Sequence, residues 1–166
     1  MPIRFVDGDP TLTRAAVLAI DHNAGGRTEM GTLHTTLMRQ QPAAFATYSK
    51  QTRQGRLQPG DYWLWHESYP ALLFLVIRES SVGATRLRYI QSVALKLARD
   101  HRLISIASLA LAPLGRPEEW PEIKKLLMTW FGPSSLPVIA YERYQPGFQA
   151  DESALLGDAP TTPDQS

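Results

Sequence analysis

The chain is 166 residues long, 43% apolar and free of cysteine. That fits one domain with a sizeable core, and it excludes disulfide staples and thiolate metal sites. The net charge of +1 is uneven: residues 150–166 hold Asp151, Glu152, Asp158 and Asp164 with no Lys or Arg, so −4 sits there and +5 on the remainder. A mildly basic body suits an anionic ligand such as a phosphate ester, or is an ordinary surface with a few extra arginines. It falls well short of a dedicated DNA binder, and no sequence-specific nucleic-acid binding is expected. No apolar run approaches the roughly 18–20 residues that cross a bilayer. Residues 1–4 lead into no secretory apolar region. The expectation is a cytoplasmic protein in a reducing compartment.

In chain order, residues 3–6 read as a short strand broken by Gly8-Asp9-Pro10. Residues 15–20, "AAVLAI", form a continuous apolar run, the pattern of a strand buried on both faces. Residues 23–31 hold three glycines in nine and read as a loop. A short helix over 32–39 stops before Pro42, where a second begins with Phe45 and Tyr48 on one face. After a turn at 58–61, strands are expected at 62–65 and 72–77. Thr85 then caps an amphipathic helix to Asp100, with Leu87, Ile90, Val93, Ala94 and Leu97 at the helical period. A strand at 104–111, a loop at 113–117, a helix at 118–131 and a strand at 138–141 complete residues 1–149 as one domain. Residues 150–166, acidic and without apolar period, are expected to be a disordered tail.

Strands alternating with helices imply an α/β fold, a mostly parallel sheet with helices on both faces. Ligands of such sheets bind at the C-terminal strand ends. Here the corresponding loops are 7–10, 21–31, 78–83 and 113–117. Asp9 suits either an acceptor for an adenine amino group or a helix N-cap. The segment His22–Gly31, with Gly25, Gly26 and Gly31, suits either backbone cradling of a phosphate or a plain flexible loop. It matches neither the P-loop nor the dinucleotide fingerprint. Of four scattered histidines, only His22 and His34 are positioned to share a site, and no spacing suggests a metal. Tyr141 and Tyr144 follow the last strand, where an aromatic either stacks on a base or packs against the sheet edge.

The order of these pieces resembles a macro domain, the ADP-ribose-binding fold. The likeness is to the branch of DNA-ADP-ribose and terminal-ADP-ribose glycohydrolases, and covers about residues 3–146. It rests on "DGDP" at 7–10, "LAIDHNAGG" at 18–26, "RQGRLQPGDYWLW" at 53–65 with "TRLRYIQSVALKLA" at 85–98, "ISIASLALAPLG" at 104–115, and the closing "VIAYERYQP". The resemblance implies a three-layer macro-like fold with no cofactor and no metal, binding ADP-ribose or an ADP-ribosylated macromolecule. It places Asp9 on adenine, Asn23 on the distal ribose, and amides near Gly25, Gly26, Gly31 and Gly115 on the diphosphate. Tyr141 joins the ligand set.

The departures from the family pattern concern the chemistry. The branch's catalytic lysine position falls on Met30, whose thioether transfers no proton. The second loop is short of glycine, and Pro117 removes an amide. Arg78 and Arg116 offer guanidinium clamps instead. Three readings follow: a binder without lysine-dependent hydrolysis, a glycohydrolase using Asp21, His22 or Glu29 to position water, or a macro-like interaction module that has lost the ligand.

Overall fold

The computed structural model describes residues 3–29 and 31–156. Six strands make one sheet: β1 (Ile3–Gly8), β2 (Val17–Asn23), β3 (Tyr62–Trp65), β4 (Ala71–Arg78), β5 (Leu109–Leu111) and β6 (Val138–Tyr144), in the order β1-β6-β5-β2-β4-β3. All neighbours pair in parallel except β3, which runs antiparallel to β4 at one edge. Helices α1 (Thr32–Gln40) and α2 (Pro42–Arg53) cover one face, α3 (Leu87–Asp100) and α4 (Trp120–Phe131) the other. This is the expected three-layer α/β arrangement.

The apolar runs explain the layers. Along β2 and β4, alternate residues enter opposite cores: Val17, Ala19, Leu73, Leu75 and Ile77 join Ile90, Val93 and Leu97 of α3. Leu18, Ile20, Leu72, Phe74 and Val76 join Phe45 and Tyr48 of α2. A period of two, with both faces covered, is what a central parallel strand requires.

Four expectations are corrected. The strand expected at 104–111 is only Leu109–Leu111, because α3 runs into a turn in which Ser105 takes φ 59°. Thr85 does not cap α3: the helix starts after Arg86 with no side-chain cap. Leu87 lies at the rim of that helix's apolar stripe and is 42% exposed. Residues 150–156, expected in the tail, are packed. Ala150 and Glu152 are buried and Ser153–Leu156 forms a 3-10 turn. Glu152 accepts hydrogen bonds from Thr13 Oγ1 at 2.6 Å, from the Arg14 amide at 2.7 Å and from Tyr141 Oη. A buried carboxyl with three donors outweighs a polar local composition. The rest of the expected tail, 157–166, lies outside the described residues. Among the described residues, no helix is long and apolar enough to cross a membrane.

Candidate functional site

The parallel strands end in a cleft. One hollow of about 770 Å³ is lined by Asp7, Trp120, Glu142, Arg143 and the 113–117 loop. A second, about 460 Å³, is lined by Asp21, Glu29, Gly31, His34, Arg78, Gly83 and Thr85, among others. Pro113, Gly115, Arg116 and Tyr144 line both, so the two hollows meet across the second loop. Sheet register shifts where the strands reach this edge, between Val6 and Asp7 on β1 and between His22 and Asn23 on β2. Such irregularities re-aim side chains at strand ends.

A buried charge network forms the floor of the second hollow. Arg78 Nη2 is 2.6 Å from Asp21 Oδ2, and its Nη1 is 3.3 Å from Glu29 Oε1. His34 Nε2 lies 2.8 Å from the Asp21 carbonyl oxygen and 3.1 Å from Asp21 Oδ1. Burial alone raises the Asp21 pKa, yet the His34 hydrogen bond and charge, then Arg78, carry it well below the usual carboxylate range. Burial pulls the His34 imidazole down, and the Asp21 hydrogen bond and charge overcome it, so the net shift is upward. Glu29 moves the opposite way from Asp21: burial raises it, against the Asn23 hydrogen bond and Arg78.

The His34 shift gives a signed prediction. A folded pKa above the unfolded 6.5 contributes stability that is complete below pH 6.5 and lost as pH rises through the folded value. Urea unfolding should therefore show His34→Gln losing more stability at about pH 6 than at about pH 9. An equal loss at both would mean that the imidazole is neutral throughout.

The sequence candidates divide. Asp21, Glu29, Gly31, Arg78, Gly115 and Arg116 line the cleft. Asp9, His22, Asn23, Gly25, Gly26 and Tyr141 are not among its lining residues. Asp9 caps a 3-10 turn: Oδ1 accepts from the Thr11 amide at 2.9 Å and Thr11 Oγ1 at 2.6 Å, and Oδ2 from the Gly147 amide at 2.8 Å. Asn23, fully buried, donates from Nδ2 to the Arg27 carbonyl at 2.9 Å and to Glu29 Oε2 at 2.5 Å, fixing the loop. His22 lies among Tyr48, Phe45 and Phe74, and burial, followed by the His34 charge, lowers its pKa to about 3, leaving a neutral ring. A neutral imidazole behind the wall is poorly placed for acid–base work.

The first glycine loop packs against α2. Ser49 Oγ donates to the Gly26 carbonyl at 2.6 Å, and a Cβ on Gly26 (φ +78°) would collide with Thr52 Oγ1. Tyr141 is buried with its hydroxyl on Glu152. Met30, the lysine position of the resemblance, lies outside the described residues. Ser81 and Gly83, in the loop 78–83 expected at this edge, and Thr85 also line the second hollow, though the sequence singles out none of the three as a ligand residue. Among the described residues, no three His, Asp or Glu side chains are grouped to hold a metal.

No protein-family model matches the chain, and no curated protein matches its sequence. Solved structures do resemble it. The macrodomain of Thermus aquaticus DarG superposes with a TM-score of 0.73 at 22% identity, covering 87% of this chain and 98% of that one. The chain has the macro-domain fold. The Mycobacterium tuberculosis DarG macrodomain gives a TM-score of 0.75 at 21% identity over 84% of this chain and 96% of its own. Thermosipho africanus DarTG, solved in complex with ADP-ribose, gives 0.78 at 19% identity, covering 92% of this chain and 44% of that one. In this macro fold, the cleft found here occupies the C-terminal strand edge, where parallel sheets receive ligands.

Proposed function

We propose that the cleft binds ADP-ribose or a related adenine nucleotide. The observation that carries this is the pair of hollows meeting at Gly115 and Arg116 over the strand ends, with Arg78 in one wall. A two-lobed cleft with an arginine where the lobes meet suits a ligand with a diphosphate between two larger groups. The ADP-ribose held by the Thermosipho relative supports the same reading. The diphosphate sits between Gly31 and Gly115 beside Arg116, with adenine towards Tyr144 and the distal ribose towards Asp21 and Glu29. Asp9 and Asn23 serve from behind the wall, holding the Gly147 turn and the glycine loop.

Titrating 15N-labelled protein with ADP-ribose tests the placement. The Gly31, Gly83 and Gly115 amides should shift together, while Gly55, distant from the cleft, stays still. Shifts confined to other surfaces would overturn the assignment.

One observation favours a hydrolytic second reading. Glu29 lines the cleft, and burial raises its pKa, the direction that makes its carboxylate a better proton acceptor. If ADP-ribosylated DNA or protein is turned over, Glu29→Gln should lower the rate about 100-fold or more with little change in ligand affinity. No release at high protein concentration would leave the binding reading alone.

A further inference from the structure

We propose that Glu119 is an internal anion seated on the second loop, where it competes with a ligand's phosphate and sets how much negative charge the cleft accepts. This rests on the nucleotide reading above. The loop between β5 and α4 is where the two hollows meet, and its free backbone donors are few, since Pro117 carries no N–H. One of those donors is already used. The Arg116 amide donates to Glu119 Oε1 at 2.7 Å, and the Glu119 amide donates back to the Arg116 carbonyl at 2.9 Å. The carboxyl also lies against Gly115: a Cβ there would be 2.8 Å from Glu119 Oε1.

The second observation comes from Arg78. This side chain is only 9% exposed, lines the second hollow, and has no hydrogen-bond partner for Nη1, which is 3.3 Å from Glu29. Burial pulls its pKa down, and the charges of Asp21, Glu29 and Glu119 overcome that. Glu119 therefore acts on the same guanidinium that a phosphate would approach. Carboxylates of this chain already occupy two of the cleft's donors: the Arg78 guanidinium faces Asp21 and Glu29, and the Arg116 amide carries Glu119. An incoming phosphate meets a negative charge at the Arg116 amide, so part of the pull of the cleft's arginines is offset.

The test uses Glu119→Gln, which keeps size and an amide oxygen able to accept the Arg116 N–H but removes the charge. Glu122→Gln on α4 is the control. Its side chain is 63% exposed and its partner is Lys125, so it changes net charge equally without touching the loop. Adenosine, ADP and ADP-ribose are titrated into the three proteins by calorimetry. Removing one like charge beside the loop that receives the phosphate should tighten ADP and ADP-ribose about five- to tenfold. Adenosine should bind all three proteins alike, and the gain should shrink in about 1 M salt. A silent wild type with a binding Glu119→Gln would support the proposal equally. If wild type binds ADP-ribose and Glu119→Gln binds no better, the proposal falls and the nucleotide reading stands. If neither protein binds any phosphate-bearing ligand, the nucleotide reading falls and takes this one with it.

Discussion

Replacing Arg78 with Met should cost about 3–5 kcal/mol of folding stability at neutral pH, the range for stripping one partner from a buried ion pair. Arg78 sits 2.6 Å from Asp21 Oδ2 and 3.3 Å from Glu29 Oε1, with side-chain exposures near one-tenth for all three. Without the guanidinium, two buried carboxyls share one hollow. Domains of this size hold about 5–15 kcal/mol in total, so much of the margin would go. The sign with pH follows from Asp21. Its depressed folded pKa contributes stability that is present above the unfolded 3.8 and lost as pH falls towards the folded value. The variant forfeits Arg78's share of that contribution, smaller than His34's, so its deficit should narrow on acidification. Guanidinium denaturation at two pH values measures this. Adding Asp21→Asn to Arg78→Met should recover a large part of the loss, because the two sites are coupled. A deficit under about 1 kcal/mol, unchanged by pH, would show that water screens the pair as it does at a surface.

Glu152→Ala should cost about 3 kcal/mol, the second-largest effect expected. The change strands the Thr13 hydroxyl, the Arg14 amide and the Tyr141 hydroxyl, and a buried donor left without a partner costs about 1–3 kcal/mol. Ending the chain after Gln149 should do at least as much damage, since it also removes buried Ala150. Tyr141→Phe takes away only one of the three bonds and should lower stability by about 1 kcal/mol while leaving ADP-ribose affinity unchanged. The last outcome separates the two roles open to Tyr141 in the sequence. Weakened binding with unaltered melting temperature would return Tyr141 to the ligand site.

The layers of this fold were legible because they follow from periodicity. The runs at 15–20 and 72–77 carry the pattern of strands buried on both faces, although β2 begins at Val17 and runs on to Asn23, and the stripe Ile90, Val93, Ala94, Leu97 carries that of a helix face. Elements set by long-range pairing were not legible. Residues 150–156 look like tail locally and become structure only because Glu152 meets donors from near β2 and from β6. Ile104 reads as strand, but Ser105 with its positive φ turns the chain there.

The site divided along the same line. Arg78, Gly115 and Arg116 reached the cleft because they stand at the ends of strands that periodicity had located. Asp9 and Asn23 stand at such ends too, yet their short side chains are taken up by backbone, Asp9 by the Thr11 and Gly147 amides and Asn23 by the Arg27 carbonyl. His22 alternates onto the face covered by α2, and one strand residue's parity decides whether it sees ligand or core. Nothing in "RPEEW" at 116–120 says that the second glutamate folds back onto the loop amide.

The central claim is that the cleft is a nucleotide site, and calorimetric titration with ADP-ribose at low and moderate salt tests it most directly, with Gly115→Val alongside. At Gly115, φ is +71° and a Cβ would be 2.7 Å from Ile123 Cδ1, so the variant distorts the loop where both hollows meet. One-to-one binding that weakens with salt and vanishes in the variant is the predicted result. No heat and no thermal stabilisation at millimolar ADP-ribose would contradict it, and would leave a macro fold whose cleft serves another partner.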